Sequence, residues 1–180
     1  MTIDTIIFDL GGVLIDWNPD YVFDELFAGQ PEKKERFFKE ICTPDWNEEQ
    51  DAGRPLAVAT QELLDRHPDW DVYIKAFYGR WEEMLGGPIT GTVDLLRELK
   101  ESGRYRLYAL TNWSAETFPT ALRLYDFLHW FDGRVVSGEE KMRKPFPEFY
   151  NLLLDRFGVA PGQCLFIDDN ARNIAAAEAL

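Results

Sequence analysis

Three acidic residues near the two ends of the chain are placed so that they could hold a divalent metal ion together. Asp9 follows the apolar run 6–8, and the pair Asp168-Asp169 follows a second apolar run, 165–167. If both runs are parallel strands of one sheet, these carboxylates meet at the edge where the strands end. Crowded carboxylates raise one another's pKa, and a bound cation relieves that conflict. Because the ligands are all oxygens, the set favours Mg²⁺ over zinc or copper.

A lysine and two neutral polar residues extend this set toward phosphoryl transfer. Thr111 and Asn112 directly follow the apolar run 108–110, and Lys144 lies in the loop after the run 134–136. Hydroxyl, amide and ammonium donors balance the charge on phosphate oxygens. Charges of −3 from the carboxylates and +1 from the lysine leave −2, which a divalent cation would neutralise.

Asp9 is the predicted nucleophile of this reaction. Gly11-Gly12 follow it, and the missing Cβ atoms let backbone groups approach a phosphate and a metal closely. The plainer alternative is that Asp9 ends a strand and that Asp168-Asp169-Asn170 cap the next helix. The polar residues Lys144 and Thr111 at the other strand ends favour an active site, because clusters of interacting charges in such a crevice are usually functional.

The order of the predicted elements favours an α/β fold, with a Rossmann-like parallel sheet flanked by helices. Short β-branched or aromatic runs between turn residues predict strands at 5–10, 105–110, 134–136 and 164–167. Apolar residues at helical spacing predict intervening helices at 93–102, 118–128 and 145–157. Strands that alternate with helices form parallel sheets, and ligands bind beyond the carboxyl ends of their strands.

Residues 16–88 interrupt this alternation and are predicted to form a small all-helical cap inserted after the first strand. The segment shows no convincing strand, and helical patterns run over 21–27, 33–41, 55–64 and 70–85. The predicted domains are a catalytic core of residues 1–15 and 89–180 and a cap of residues 16–88. Trp17 and Trp113 each follow a predicted catalytic loop, so we expect both to contact the substrate.

The composition excludes several classes of partner. The 180 residues include 19 Lys and Arg against 32 Asp and Glu, a net charge of −13, and show no basic patch. Such a charge repels nucleic-acid backbones and anionic membranes, so the expected partner is a small phosphorylated metabolite. The two cysteines suggest neither a disulfide framework nor a zinc site, and neither a leader nor an apolar run of about 18 residues is evident. These features predict a cytoplasmic protein and leave its oligomeric state open.

Four blocks of sequence, in order, resemble the haloacid dehalogenase-like (HAD) hydrolase superfamily. They are Phe8-Asp9-Leu10-Gly11-Gly12-Val13, Leu110-Thr111-Asn112, Lys144-Pro145 and Phe166-Ile167-Asp168-Asp169-Asn170. The resemblance covers essentially the whole chain and is closest to members with a helical cap, similar to sugar phosphatases and to the phosphatase part of epoxide hydrolases. It implies a Mg²⁺-dependent hydrolase of small phosphomonoesters, sugar phosphates among them, that acts through an aspartyl phosphate.

The same resemblance implies a role for each site residue. The nucleophile would be Asp9, and the catalytic cation that balances charge would be Lys144. The metal ligands would be Asp9, the carbonyl of Gly11, Asp169 and, directly or through water, Asp168. The phosphate would be bound by Thr111, Asn112 and the backbone of Gly11 and Gly12.

One position departs from the family pattern. Most phosphatases of the family carry a second Asp two residues after the nucleophile, where it protonates the leaving oxygen and then deprotonates water; this chain has Gly11 there. Losing such a group typically costs about 10²- to 10⁴-fold in rate. We therefore expect either a leaving group that needs little protonation or a proton donor from the cap or substrate, with Asp16 the nearest spare carboxylate. The family also adds a strand and a helix beyond the position of Leu180.

Two other functions are compatible with these residues. A 2-haloacid dehalogenase would use the same Asp9 to attack carbon without a metal, but such enzymes usually carry an aromatic residue where Gly11 or Gly12 stands. The pair Asp168-Asp169 also fits a metal-dependent reaction better than the metal-free reaction of a dehalogenase. A catalytically weak binding or scaffold member of the fold would explain Gly11.

Overall fold

The core of the protein is a parallel sheet in which the strand that precedes Asp9 lies between two others. The computed structural model describes residues 2–180. Its strands are β1 (Thr5–Phe8), β2 (Ile15–Trp17), β3 (Leu85–Pro88), β4 (Arg106–Thr111), β5 (Gly133–Val136) and β6 (Cys164–Ile167). Four of them form one sheet in the order β5-β4-β1-β6, and every neighbouring pair is parallel. The predicted parallel sheet and its four strands are confirmed.

Helices cover both faces of this sheet, which is why its strands are apolar in successive residues. In β1, Ile6 and Phe8 belong to a buried cluster that extends into the inserted segment. Ile7 points to the other face and packs in a second cluster with Phe149. Burying an apolar side chain of this size contributes roughly 1.5–3 kcal/mol. β1 is therefore held from both sides, and this fixes the position of Asp9 directly after it.

The α-helices lie before, between and after the strands of the sheet. They are α1 (Asp20–Leu26), α2 (Pro31–Arg36), α3 (Pro44–Asp51), α4 (Leu56–Arg66), α5 (Asp71–Gly79), α6 (Thr90–Ser102), α7 (Phe118–Leu124), α8 (Ser137–Glu140), α9 (Pro147–Phe157) and α10 (Ala171–Glu178). A π-helical turn, Phe37–Ile41, continues α2. Among the helices of residues 2–180, none is long and apolar enough to cross a membrane.

The predicted core helices are present, with two differences at their ends. The helix expected over 118–128 stops at Leu124, and a 3₁₀ turn, Asp126–His129, follows it. The last predicted helix begins at Pro147 rather than Pro145, so Pro145 lies in the loop that carries Lys144. Proline fits the first turn of a helix because its missing N–H has no partner there, and Pro147 has this position.

The inserted segment is helical between its ends, but the ends themselves form strands that the sequence pattern does not predict. β2 and β3 pair antiparallel, with Ile15 opposite Pro88. The expectation of an all-helical insertion over 16–88 is therefore wrong at both ends. The β3 sequence Leu-Gly-Gly-Pro has little strand propensity. Its extended conformation is therefore stabilised by pairing with β2 and not by its own side chains. This two-stranded ribbon joins the core to the helices of residues 18–84, which we call the cap.

α3 is the cap helix that the apolar pattern misses, because its sequence is almost entirely polar. It begins where the Thr43 hydroxyl accepts a hydrogen bond from the backbone N–H of Trp46 at 3.1 Å, which is N-terminal capping. The Trp46 ring packs edge-on against Phe77, with 5.3 Å between ring centroids. α3 then runs toward α8 of the core and ends at Asp51.

Candidate active site

Asp9, Asp168 and Asp169 lie together at the carboxyl edge of the sheet, as the sequence predicts. β1 and β6 pair with Phe8 opposite Ile167, and the N–H of Asp9 donates to the Ile167 carbonyl at 2.8 Å. One oxygen from each of the three carboxylates lies within 4.8 Å of the others. Residues from the two ends of the chain therefore form one acidic cluster.

Lys144 bridges two of these carboxylates from a fully buried position. Its Nζ lies 2.8 Å from Oδ2 of Asp9 and 2.6 Å from Oδ2 of Asp168. Asp168 also accepts hydrogen bonds from the Asn173 amide, at 3.0 and 3.1 Å, and from the Asn170 N–H, at 2.9 Å. Both Asp168 oxygens are thus occupied by protein donors, and Asp169 is left as the more exposed carboxylate of the pair.

Asn112 holds the backbone of the lysine loop in place. Its amide nitrogen donates to the Lys144 carbonyl at 3.0 Å, and its amide oxygen accepts from the Lys144 N–H at 2.8 Å. The side chain predicted to bind phosphate is therefore engaged at both polar atoms. What the structure shows is a positioning role for Asn112, and its phosphate contact stays a prediction.

Thr111, in contrast to Asn112, has a side-chain polar group without a hydrogen-bond partner among the described residues. The residue is fully buried at the end of β4, and its hydroxyl finds no hydrogen-bond partner within residues 2–180. Leaving a buried hydroxyl without a partner costs about 1–3 kcal/mol. A phosphate oxygen would supply the missing acceptor, which fits the predicted role of Thr111.

The two glycines after the nucleophile differ in what they allow. Gly12 has a φ of +75°, and a Cβ built on it would lie 2.3 Å from Oδ2 of Asp169. A Cβ on Gly11 would have nothing within 4 Å, and its φ is outside the left-handed region. Gly12 is therefore required for the close approach of Asp169, whereas Gly11 is not required by space or backbone angle.

A cavity of about 240 Å³ opens from this cluster toward the cap. Its walls include the predicted substrate residues Trp17 and Trp113 together with two aromatic residues that the sequence did not single out, Tyr78 and Trp81. The backbone of Trp113 is held in place by its N–H group, which donates to the Ser137 hydroxyl at 2.8 Å. The remaining lining residues are Asp9, Gly11, Gly12, Asn47, Asp51, Asn112, Ser114, Thr117 and Asp169.

A larger groove of about 440 Å³ lies elsewhere, beside β6 and α10. Its walls are mostly apolar, with Leu165 and Phe166 among them, and none of the three clustered carboxylates lines it. Volume alone does not identify the site, since this groove is larger than the cavity beside the carboxylates. We assign the active site to the smaller cavity, because that is where the charged groups converge.

Asp51 is a carboxyl group in the wall of the cavity that sequence reasoning missed. It is the last residue of α3, it lines the cavity, and its Oδ2 accepts from the Asn47 amide at 3.3 Å. Burial raises the pKa of Asp51 to about 7; the Ser114 backbone N–H opposes this by hydrogen bonding, while the nearby charges of Glu48 and Asp9 add to it. The polar sequence of α3 gave no apolar pattern that could have placed Asp51 at the site.

Asp16, the spare carboxylate nearest to the nucleophile in sequence, is directed elsewhere. It accepts a hydrogen bond from the Tyr21 hydroxyl, and it does not line the cavity. The expectation that Asp16 is the nearest source of a proton is not supported by this geometry.

The environment of Asp9 opposes its negative charge. Burial raises the pKa of Asp9 to about 6; the charge of Lys144 lowers it, and the charge of Asp168 raises it again. The N–H of Leu10 donates to Oδ1 at 2.7 Å and stabilises the ionised form. A cation beside Asp9 would favour the carboxylate form that a nucleophile needs.

These residues fit a magnesium ion by their chemistry. The donors are carboxylate oxygens from Asp9, Asp168 and Asp169 clustered within 4.8 Å, with the Gly11 backbone beside them in the same cavity. No histidine or cysteine lines the cavity in the described part of the chain. Hard oxygen ligands with a net negative charge suit Mg²⁺.

Fold and site together define a protein with a Rossmann-like α/β fold whose clustered carboxylates lie at the carboxyl ends of parallel strands. A family model for haloacid dehalogenase-like hydrolases matches residues 3–180, and the chain belongs to this family.

Curated relatives of the chain include phosphatases with different substrates. The chain is 30% identical to the sesquiterpene phosphatase astK of Aspergillus oryzae, over 99% of this chain and 87% of the relative. It is 25% identical to the phosphorylated carbohydrates phosphatase of Thermotoga maritima, over 97% of this chain and 80% of the relative. The protein is a hydrolase of the phosphatase type.

A solved structure with the same fold is the HAD family enzyme bt-2542 of Bacteroides thetaiotaomicron. One crystal structure of that enzyme matches with a TM-score of 0.76 at 22% identity, over 99% of this chain and 90% of that one. Its wild-type complex with magnesium and inorganic phosphate matches with a TM-score of 0.72 at 25% identity, over 98% and 90% of the two chains.

Proposed function

We propose that the protein is a Mg²⁺-dependent phosphatase that hydrolyses small phosphomonoesters through an aspartyl phosphate on Asp9. The observation that carries this proposal is the cluster in which Asp9 contacts the Nζ of Lys144 at 2.8 Å and lies within 4.8 Å of Asp168 and Asp169. This arrangement places a candidate nucleophile, a buried cation and candidate metal ligands in one cluster, and Asp9 and Asp169 of that cluster line the cavity.

Mg²⁺ would be held by Asp9, Asp169 and the Gly11 carbonyl, with Asp168 as a direct or water-mediated partner. When bound, the ion neutralises negative charge on the phosphate oxygens and on the carboxylates. The chain's own residues do the rest. An oxygen of Asp9 attacks phosphorus, the ammonium of Lys144 offsets developing negative charge, and the Thr111 hydroxyl donates to a phosphate oxygen.

The cavity walls favour a substrate whose leaving group carries no further negative charge. No Lys, Arg or His lines the cavity in residues 2–180, whereas four aromatic residues do. Nearby cations are engaged by carboxylates: Arg143 contacts Glu48 at 2.6 Å, and Arg54 contacts Glu62 at 3.0 Å. Aromatic faces bind apolar groups and the C–H faces of sugar rings. The lining of the cavity therefore favours uncharged alcohols and sugars as leaving groups.

The names of two relatives agree with that class. One is named a sesquiterpene phosphatase and the other a phosphorylated carbohydrates phosphatase, and a terpene alcohol or a simple sugar carries no charge of its own. A cavity of about 240 Å³ favours small members of both classes.

The proposal is tested with a panel of phosphomonoesters, with and without Mg²⁺. We expect phosphate release from uncharged alkyl, isoprenyl or sugar monophosphates, a much lower rate from pyrophosphate and phosphoglycolate, and loss of activity after chelation. Asp9→Asn should abolish turnover and leave the folded state intact by circular dichroism.

Two outcomes would contradict it. Release of chloride from 2-chloropropionate without metal would instead identify a dehalogenase, a function named for one relative that is 28% identical over 127 residues. An inert protein that fails to bind Mg²⁺ would indicate the binding or scaffold alternative.

A further inference from the structure

We propose that Asp51, supplied by the cap, is the general acid and general base of the reaction. The inference rests on the proposed phosphatase function and answers a question that Gly11 raises. A phosphomonoester with an alkyl leaving group needs a proton on the leaving oxygen, and the position two residues after the nucleophile has no side chain to provide it.

The position of Asp51 in the cavity fits this role. Displacement at phosphorus is in line, so the leaving oxygen lies on the side of phosphorus opposite Asp9. That side faces the cap, because Asp9 is fixed at the end of β1 in the core. Asp51 lines the cap part of the same cavity, next to Asn47 of its own helix.

Asp51 is also held in place by the core. The Ser137 hydroxyl donates to the Asp51 backbone carbonyl, and the Ser114 backbone N–H lies close enough to the Asp51 carboxylate to lower its pKa. Both serines follow core strands, β4 and β5. The contacts therefore fix a cap residue relative to the sheet, as a proton-transfer group requires.

The other acidic residues near the cavity are committed to other contacts. Among residues 2–180, the acids that line it are Asp9, Asp169 and Asp51, and the first two belong to the cluster that fits a metal. Glu48, one turn before Asp51, pairs with Arg143 at 2.6 Å and with Arg172. Asp51 is thus the lining carboxyl group outside the metal cluster.

The proton and electron balance closes over the two half-reactions. In the first, an Asp9 oxygen bonds to phosphorus, the bond from phosphorus to the leaving oxygen breaks, and that oxygen takes its electron pair and the Asp51 proton. In the second, water bonds to phosphorus and loses a proton to the Asp51 carboxylate, while the bond to Asp9 breaks. The products are the alcohol and phosphate, and Asp51 is again neutral.

The surroundings of the Asp51 carboxyl group support both of its proton transfers. The charges that face Asp51 are those of Glu48 and Asp9, which disfavour its ionised form, and Arg143, which favours it. A carboxyl group that titrates near neutral pH is able to donate a proton in one step and accept one in the next.

The test is a comparison of leaving groups in Asp51→Asn. With an alkyl phosphate we expect kcat to fall by about 10²- to 10⁴-fold, the usual contribution of a general acid or base. With p-nitrophenyl phosphate, whose leaving group needs no proton, we expect a burst of p-nitrophenolate followed by slow turnover. The variant should then accumulate a phosphoryl adduct on Asp9, seen as a mass gain in the intact protein.

Two further variants separate catalysis from structure. Gly11→Asp in the Asp51→Asn background returns a carboxylate to the strand side, where a Cβ meets nothing within 4 Å; we expect alkyl phosphate turnover to recover by at least about tenfold. Asp16→Asn is the matched control, and we expect wild-type rates from it.

The inference is overturned if folded Asp51→Asn hydrolyses alkyl phosphates at the wild-type rate. It is also overturned if both substrates lose activity equally, with no burst and no adduct, because a purely structural role predicts that pattern. A wild-type protein that hydrolyses none of the phosphates would contradict the proposed function itself, which is a distinguishable result.

Discussion

At the scale of single residues, the site depends on how one buried lysine is shared between two acids. Lys144 is fully buried, and its ammonium group contacts both Asp9 and Asp168. A buried charge is tolerated only when it is paired and hydrogen-bonded, and removing one partner leaves the others uncompensated. The lysine therefore stabilises the cluster in addition to its proposed role in the reaction.

Lys144→Met should destabilise the protein by about 3–5 kcal/mol, because it leaves two buried carboxylates without their cation. Urea unfolding without metal measures the change. Adding Asp168→Asn removes one of those charges, so the double variant should recover part of the stability while remaining inactive. Equal stabilities for Lys144→Met and wild type would contradict this account.

Gly12→Ala should strain the backbone and displace Asp169. The new Cβ would lie 2.3 Å from Oδ2 of Asp169 at a φ of +75°, and a left-handed conformation costs a non-glycine residue about 1–2 kcal/mol. We expect lower unfolding free energy and weaker Mg²⁺ binding by calorimetry. Gly11→Ala is the matched control, and it should unfold at nearly the wild-type urea concentration. The same loss of unfolding free energy at both positions would contradict the explanation by close approach to Asp169.

The sequence identifies these residues because charges at strand ends have few structural uses. Asp9, Lys144 and the pair Asp168-Asp169 follow apolar runs, and parallel pairing brings them together. Asp51 could not be found in this way, because it is the last residue of a mostly polar helix and reaches the cavity only through the packing of the inserted helices on the core.

At the scale of elements, the cap is joined and oriented by segments with weak local signals. β3 is rich in glycine and pairs only because β2 lies beside it, and α3 is polar over its whole length. Strands β1, β4, β5 and β6 were predictable because each is a short apolar run between turn residues; β1 and β4 are buried on both faces, whereas Leu165 of β6 is 48% exposed. The ribbon and α3 are stabilised by contacts with residues distant in sequence. Local patterns in a single sequence do not show which distant residues make such contacts.

Gly138→Ala should disturb the contact between α8 and the loop after β4. A Cβ there would lie 2.3 Å from the backbone nitrogen of Ala115 and 2.8 Å from the carbonyl oxygen of Trp113. Backbone atoms cannot move aside cheaply, so we expect a loss of about 1–3 kcal/mol in urea unfolding. Because this loop also carries Ser114, kcat should fall as well.

Gly79→Ala is the matched control for that substitution. Gly79 ends α5, its φ is outside the left-handed region, and a Cβ would meet nothing within 4 Å. We expect unchanged or slightly higher stability, since alanine is favoured over glycine in a helix by about 0.5–1 kcal/mol. A similar loss from both substitutions would show that the Gly138 contact is not responsible.

At the scale of the whole molecule, the carboxylate cluster connects the two ends of the sheet's chain order. It joins the residue after β1 to the residues after β6, so an ion bound there would tie the first strand to the last and would couple binding to folding.

Mg²⁺ should therefore raise the melting temperature. At a concentration 100 times its Kd, a ligand specific to the native state adds about 2.7 kcal/mol. For a chain of this length that corresponds to a shift of roughly 5–11 °C. Differential scanning calorimetry with Mg²⁺ and with a chelator measures it, and the Asp169→Asn variant should lose most of the shift. An equal shift in that variant would place the ion elsewhere.

Asp9→Asn should stabilise the metal-free protein at pH 8. Burial raises the pKa of Asp9 to about 6 from an ordinary value of 3.8, so the folded state binds the proton more tightly than the unfolded state. The contribution of Asp9 to stability therefore falls as pH rises from about 4 to about 6, and above that it stays low.

Removing the ionisable group should recover on the order of 1 kcal/mol at pH 8 and nothing at pH 3. Urea unfolding at the two pH values checks the difference, with Asp16→Asn as the control. A stabilisation that is the same at both pH values would show that charge is not the cause.

The position of β1 in the sheet also bears on how the protein is made. β1 leaves the ribosome first, yet its partners in the ladder are Arg106 and Cys164, which stand opposite Thr5. At about 5–20 residues per second, translation reaches the first partner roughly 5–20 s later. A nascent chain that ends before β6 contains Asp9 but neither Asp168 nor Asp169, so the carboxylate cluster forms only after β6 has been made.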